Sequence, residues 1–187
     1  MKKYELTDET IDVSGTTLHR IKALKDFGNV KKGELGGYVE SERNLSQEGN
    51  CWVCGNAKVC GDAEVCGNAK VCGDAKVCGN AWVFGNAEVY GNAKVYGNAW
   101  VYGNAEVCGN ARVYGDADYI TIKGLGSKYR NTTIFRTKEN IAVKCGCFYG
   151  TLAEFVDKVK ETHGNSKFTK EYLALIDLVK IHFELEE

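Results

Sequence analysis

Eleven hexapeptides of the form Val-x-Gly-(Asn/Asp)-Ala-x follow one another without a break from Val53 to Asp118. The valines recur at every sixth position, and an alanine stands four residues after each of them. Self-similarity at a short fixed period is typical of a solenoid, in which each unit shares its core with its neighbours. The repeat therefore constrains the fold of this chain more than any other feature of the sequence.

Each unit contains the segment Ala-x-Val-x, which has the length of a short strand. Strand side chains alternate between two faces, so Ala and Val point inward together and the two x positions point outward. The Gly-Asn or Gly-Asp pair that follows tolerates positive φ and supplies a corner. The pattern resembles the hexapeptide-repeat left-handed parallel β-helix. That resemblance implies three hexapeptides per 18-residue coil, a three-sided section and the left-handed sense.

The segments on either side of the repeat divide the chain into three predicted parts. Residues 1–50 are predicted to form an N-terminal strand and degenerate rungs that cap the stack, and 51–118 to form the β-helix. Residues 119–187 are predicted to form a small C-terminal α+β domain. The fold class is therefore mainly β, a left-handed parallel β-helix with an α+β domain that ends in two helices.

Shorter patterns place elements within the two flanking parts. Leu18–Leu24 is predicted to be a strand, and Phe27–Val30 and Leu35–Val39 to be the degenerate first rungs. The capping box at Thr151–Glu154 indicates the start of a helix that ends at Gly164. A second helix is predicted from about Lys170 to Phe183, with apolar residues over a wide arc. The strands predicted ahead of these helices are Tyr119–Ile122, Thr132–Arg136 and Ile141–Val143.

Composition and charge indicate the cellular location of the chain. The formal net charge is −1, no apolar run reaches the ~18 residues of a membrane span, and acids stand near the start where a signal peptide needs an apolar run. We therefore expect a cytoplasmic bacterial protein with no membrane contact.

The nine cysteines follow the repeat, and we expect reduced thiols without a metal or a cofactor. Cys54 with Cys72, and Cys60 with Cys78, lie in neighbouring coils, but parallel side chains suit a disulfide poorly.

One predicted outer face is aromatic. Residues 18 apart lie above one another, so four large rings should form one contiguous surface: Trp82, Phe84, Trp100 and Tyr102. Such an apolar area is larger than a soluble monomer usually exposes. The face is either a contact surface for another subunit or protein, or it is covered by one of the flanking parts of the chain.

A second outer face is cationic. It carries a column of positive charges beside two tyrosines: Lys58, Lys76, Lys94 and Arg112 with Tyr96 and Tyr114. Like charges at ~4.8 Å repel unless an anion lies between them. The face could bind phosphate, nucleotide or a nucleic-acid backbone, or it could be a solvated face whose long side chains splay apart.

Catalysis is not predicted from the repeat itself. Many left-handed β-helix proteins are acyltransferases that use a histidine near a coil, and the eleven repeats contain no histidine. The three histidines, His19, His163 and His182, stand in the flanking parts. No nucleophile, base and orienting group can be assembled from neighbouring positions, so no catalytic residue is assigned.

The chain also resembles uncharacterised phage and prophage proteins of Gram-positive bacteria. The likeness lies in the Gly-Gly-Tyr at 36–38, the Asn-Leu-Ser at 44–46 and the segment from Cys145 to Leu152. That resemblance favours a non-enzymatic, oligomeric binding protein. It would act in the bacterial host against an immune protein, such as a CRISPR effector, or sequester a signalling nucleotide.

Two other functions stay open from the sequence. One is a hexapeptide-class acyltransferase with its active site at a subunit interface and a base supplied by His163 or His19. The other is a structural protein that assembles end to end or face to face.

Overall fold

The strands between residues 52 and 113 stack in a parallel β-helix of about four coils, as the repeat predicts. The computed structural model describes residues 2–185, which divide into two units, residues 2–116 and 117–185. The strands of the first unit are β1 (Tyr4–Val13), β2 (Thr16–Ala23), β3 (Leu35–Val39), β4 (Trp52–Val53), β5 (Lys58–Val59), β6 (Glu64–Val65), β7 (Lys70–Val71), β8 (Lys76–Val77), β9 (Trp82–Val83), β10 (Glu88–Val89), β11 (Lys94–Val95), β12 (Trp100–Val101), β13 (Glu106–Val107) and β14 (Arg112–Val113).

Strands 18 residues apart pair in parallel, which gives the helix three walls. The first wall runs β3-β5-β8-β11-β14, the second β6-β9-β12 and the third β4-β7-β10-β13. Lys58 N donates to Ala75 O at 2.9 Å, and each coil bonds to the next in the same way. The repeat valines, and the repeat alanines from Ala57 to Ala111, are at most 1 % exposed, whereas Ala117 at the end of the repeat is exposed. The core is therefore a stack of Val on Val and Ala on Ala.

The corners explain the recurrent Gly and Asn positions of the repeat. Gly79 has φ +76°, and a Cβ at this residue would lie 3.0 Å from the nitrogen of Gly97 in the next coil. A side chain there would be both strained and crowded. Asn50, Asn68 and Asn86 form a ladder in which each amide donates to the next, at 3.2 and 3.1 Å. The corners therefore satisfy their own polar groups along the stack.

The first coil is irregular but complete. Val39 of β3 pairs with Val59, Leu45 forms a parallel bridge with Val65, and β4 pairs with β7. The two extra residues between Leu45 and Val53 lie in a corner, where they leave the three rungs in place. The prediction that Phe27–Val30 forms a rung is wrong, because these residues close a tight antiparallel turn.

A hairpin that the repeat does not predict packs on the first coil. Strand β1 pairs antiparallel with β2, and β2 pairs antiparallel with β3. The Tyr4 hydroxyl donates to Leu45 O at 2.6 Å and lies 3.0 Å from Glu42 O. Lys3 is 1 % exposed, and its ammonium donates to Cys51 O at 3.0 Å. Burial lowers the pKa of Lys3 and raises that of Tyr4.

The second unit is an antiparallel sheet with two helices, in agreement with the predicted α+β composition. Its elements are β15 (Tyr119–Leu125), β16 (Arg130–Arg136), β17 (Ile141–Cys145), β18 (Phe148–Thr151), α1 (Leu152–His163) and α2 (Lys167–His182). Strands β15 to β18 pair in sequence order. Thr151 caps α1 in a capping box with Glu154, and Gly164 ends it. Helix α2 begins three residues before its predicted start, with Ser166 at its N-cap.

The sheet and the helices share one core. Its buried members include Ile134, Phe155, Tyr172, Ile176, Val179 and Phe183. Phe155 and Tyr172 meet edge to face, with ring centroids 5.3 Å apart. The opposite side of α2 leaves Leu178 and Ile181 exposed. No helix within residues 2–185 is long and apolar enough to cross a bilayer.

Candidate functional site

The structure brings the four rings of the aromatic face together on the second wall. Trp82 stacks on Trp100 with ring centroids 5.4 Å apart, and Phe84 stacks on Tyr102 at the same distance. The register of β9 and β12 places Trp82 directly opposite Trp100. Both tryptophans and Tyr102 are 41–49 % exposed. The role of this face as a contact surface stays a prediction.

The cationic face is also assembled as a column, on the first wall. Lys58, Lys76, Lys94 and Arg112 pair in register from β5 to β14. Tyr96 and Tyr114 stack beside them with centroids 5.8 Å apart. Within residues 2–185, none of the four cations forms an ion pair with a carboxylate. Anion binding by this face stays a prediction.

The hairpin extends the column in a way that the sequence did not indicate. Tyr38 of β3 stands in register with Lys58, and Arg20 of β2 stands in register with Tyr38. Arg20 donates to Glu9 at 3.0 Å, so this end of the column is neutralised. That hydrogen bond lowers the pKa of Glu9. Among the described residues, the unpaired positive charge of this column therefore lies in the regular coils.

The cysteine prediction needs a correction. The structure joins Cys54 to Cys72 and Cys60 to Cys78 in disulfides, with Cα atoms 4.7 Å apart in both pairs. That separation lies within the usual range for a disulfide. Each cysteine follows a two-residue strand and precedes a corner glycine, so it lies at the end of the strand pairing. Cys66 stays free, because Phe84 occupies the matching position in the next coil.

The second unit contains a cavity of about 560 Å³ that no sequence motif indicated. Four structural elements surround it: the β15–β16 hairpin, the β17–β18 turn, α1 and α2. Its lining residues are Ser127, Lys128, Arg130, Cys145, Cys147, Phe148, Tyr149, Phe155, Lys158, Val159, Thr162, His163 and Tyr172. Four of these side chains are basic or can become so, and none is acidic.

Two backbone features place the polar side chains of this cavity. Gly146 has φ +58°, and a Cβ there would contact the guanidinium of Arg130, so the absence of a side chain lets Arg130 lie across the turn. The loop before β16 presents Lys128 on the same side. Buried Thr132 Oγ1 donates to Sγ of the lining residue Cys145 at 3.2 Å. Burial raises the pKa of the Tyr172 hydroxyl to about 12, with the Cys145 thiol contributing next.

The three histidines differ in their surroundings. His19 Nδ1 lies 3.3 Å from Thr7 O, and His182 Nε2 lies 2.9 Å from Ala117 O. His163 lines the cavity and stacks on Tyr172 with centroids 5.9 Å apart. Within the described residues, neither ring nitrogen of His163 makes a hydrogen bond. His163 is therefore the histidine best placed to exchange a proton with a bound molecule.

A smaller cavity of about 430 Å³ lies beside the third wall of the first unit. Trp52, Lys70 and Glu88 line it, and Lys70 lies 3.7 Å from Glu88. Glu34 lines it as well, so this lining carries more acidic than basic side chains. The cavity of the second unit differs because its lining carries a surplus of positive charge.

One protein family and one known protein are similar to parts of this chain. The model of the YdcK β-solenoid repeat matches residues 87–103. A protein of Escherichia coli (strain K12) described as the uncharacterized acetyltransferase YdcK is 39 % identical over 61 residues. The match covers 28 % of this chain and 19 % of the E. coli protein. The chain therefore spans about a fifth of the length of that relative.

These similarities overturn the main function inferred from the sequence. The interpretation as a phage-encoded binder that counters host defence is wrong, because the similarity leads to a protein described as an acetyltransferase. Neither match points to a phage protein or to an immune inhibitor. The acyltransferase alternative is the better supported. The expectation of a protein without enzymatic activity is weakened by the same match.

Proposed function

We propose that this chain is an acyl-group transferase of the hexapeptide-repeat class, with His163 as its general base. The observation that carries the proposal is the position of His163, which lines a cavity. Among residues 2–185, neither of its ring nitrogens makes a hydrogen bond. Two similarities support it: the β-solenoid repeat and the partial likeness to a protein described as an acetyltransferase.

The reaction follows from what a neutral imidazole can do. The acceptor's hydroxyl or amine attacks the carbonyl carbon of an acyl thioester while His163 takes its proton. The new C–O or C–N bond forms as the C–S bond breaks. The departing thiolate then takes the proton from the imidazolium, which restores the base and releases a free thiol.

Replacement of His163 tests this role directly. The chain is incubated with acetyl-coenzyme A and a panel of amine and hydroxyl acceptors, and coenzyme A release and acylated product are measured by mass spectrometry. His163→Ala should lower turnover by about 10²-fold or more, as expected for a general base. His182→Ala is the matched control, because its ring bonds a backbone carbonyl, and it should keep the turnover of the native chain.

Two results would overturn the proposal. One is the absence of acyl transfer by the native chain with every acceptor. The other is a His163→Ala chain that turns over as fast as the native one.

The cationic face of the first unit is a separate candidate site, for a nucleic-acid backbone. Its four cations stand in register and, in the part of the chain described, pair with no carboxylate. Lys76→Glu combined with Lys94→Glu should abolish the salt-dependent binding of single-stranded DNA, measured by fluorescence anisotropy. A native chain that binds no single-stranded DNA at low salt would show that the column is a solvated face.

A further inference from the structure

The cavity of the second unit has a mouth of positive charge. Lys128, Arg130 and Lys158 line it together with His163, and among the residues that the structure describes no lining side chain is a carboxylate. Lys158 pairs with Glu161 at 2.8 Å, but both side chains are more than half exposed. Exposed pairs of this kind contribute little, so a ligand can replace Glu161 as the partner. Within residues 2–185, Arg130 and Lys128 form no ion pair.

The inner part of the cavity is aromatic and apolar. Phe155, Val159 and Tyr172 are buried there, and Phe148 meets Phe155 with centroids 5.2 Å apart. The imidazole of His163 adds a flat face close to parallel with Tyr172, at an interplanar angle of 22°. A ligand that fills this part of the cavity gains most if it carries a flat ring of its own.

The volume of the cavity favours a ligand larger than a small anion. At about 560 Å³ it lies within the range of 300–1,000 Å³ that is usual for sites of small organic ligands. Inorganic phosphate would occupy only its mouth. The combination of an anion-binding mouth and an apolar interior therefore favours one molecule with both parts.

We propose that this cavity binds a phosphate monoester that carries an aromatic ring and has the size of a nucleoside monophosphate. This ligand is the acceptor of the acyl group. The phosphate lies against Arg130, which can bind two of its oxygens at once, with Lys128 and Lys158 beside it. A dianion matches several cations around one mouth better than a monocarboxylate does. The ring lies against Phe148 and Tyr172. The assignment as acceptor rests on the proposed function, whereas the binding itself does not.

Calorimetry with three probes tests the two halves of the ligand. Adenosine 5′-monophosphate, adenosine and inorganic phosphate are titrated separately into the full chain at low salt. The monophosphate should bind at least tenfold more tightly than either of the others. Arg130→Gln should weaken its binding about tenfold or more and leave adenosine binding unchanged. Lys170→Gln, which removes an exposed charge of the same unit outside the cavity, should change neither.

Alkylation of Cys147 gives a second measurement. Cys147 is exposed at the cavity, while Cys66 is a free thiol of the first unit. Bound adenosine 5′-monophosphate should slow the reaction of iodoacetamide with Cys147, followed by peptide mass spectrometry, and leave the rate at Cys66 unchanged. If Arg130→Gln does not fold, Lys158→Gln takes its place in both measurements. No binding of the monophosphate, or equal binding by the variant, would overturn the proposed site.

The results also separate this proposal from the proposed function. Binding of the monophosphate by a native chain that shows no acyl transfer would overturn the function and retain the site. Acyl transfer that adenosine 5′-monophosphate neither undergoes nor inhibits would overturn the site and retain the function. If both hold, the native chain should convert adenosine 5′-monophosphate to its acylated product, and His163→Ala should lose that turnover.

Discussion

Replacement of Val77 by aspartate tests the register of the whole β-helix. Val77 is fully buried in the regular coils and pairs in register with Val59 on one side and Val95 on the other. A carboxylate at this position has only the apolar groups of the adjacent coils around it. It has no room to turn outward, because each strand is two residues long and the backbone of both neighbouring coils is hydrogen-bonded to it.

The expected cost follows from two terms. Loss of a buried valine side chain costs about 1.5–3 kcal/mol. A fully buried carboxyl has its pKa raised by about 3–5 units, to about 7 or above, so the folded chain keeps it largely protonated. Folding at pH 7 must then reverse an ionisation that the unfolded chain favours by about 3 pKa units, which costs about 4 kcal/mol at 1.36 kcal/mol per unit. The sum is about 5.5–7 kcal/mol, which is comparable with the whole stability of an ordinary domain. Val77→Asp should therefore leave the first unit unfolded at pH 7.

The pH dependence gives the second half of this prediction. In the Val77→Asp chain, the folded pKa of the introduced carboxyl group would lie above its unfolded value near 3.9. The folded state would then bind more protons than the unfolded state between the two values. Stability must therefore rise as the pH falls through that window. Urea unfolding followed by circular dichroism at pH 4.5 and pH 7 measures it, with each midpoint expressed relative to the native chain at the same pH.

A matched control lies one residue away. Lys76 points outward from the same strand, so Lys76→Asp should change the free energy of unfolding by no more than about 0.5 kcal/mol at pH 7. A Val77→Asp chain with the native midpoint at pH 7, or a Lys76→Asp chain that unfolds, would show that the inward and outward positions are assigned wrongly.

Two further substitutions address the aromatic face and the N-terminal hairpin. Trp82→Ser with Trp100→Ser should keep the native circular dichroism and abolish any self-association that light scattering detects in the native chain; an unchanged mass would remove the contact hypothesis. Tyr4→Phe should lower the free energy of unfolding by about 1–3 kcal/mol, because the carbonyl of Leu45 loses a buried hydrogen bond. Chemical denaturation measures this loss, and an unchanged midpoint would show that the hydroxyl bond does not fasten the hairpin to the first coil.

The repeat made the β-helix predictable, since its inward and outward positions are fixed by a period that never slips. The hairpin was harder to predict, because β1 is rich in Thr, Glu and Asp and its pairing depends on a partner strand rather than on its own pattern. Lys3 illustrates the same limit: a lysine near the start of a chain indicates solvent, yet here the carbonyls of Glu48 and Cys51 hold it.

The cavity of the second unit could not be predicted for a related reason. Its lining comes from a hairpin loop, a turn and two helices, and the residues span positions 127 to 172 without a motif. The sequence did indicate the position of His163, because the capping box at Thr151 and the glycine at 164 together predict α1 and place His163 in its last turn. The disulfides could not be predicted from strand geometry, because ideal in-register side chains point the same way although the Cα separation of 4.7 Å is within the usual range for a disulfide.

Because residues 18 apart pair with one another, the β-helix of the first unit can change its length only by whole coils. A coil inserted or removed as a block of 18 residues leaves every remaining valine over a valine and every corner over a corner. Such a change lengthens or shortens each outer column by one side chain without altering its chemical character. A change of any other length rotates the following walls or breaks their alternation. The reach of the surface columns is therefore adjustable in single steps of one coil, while the chemistry of the second unit is left untouched.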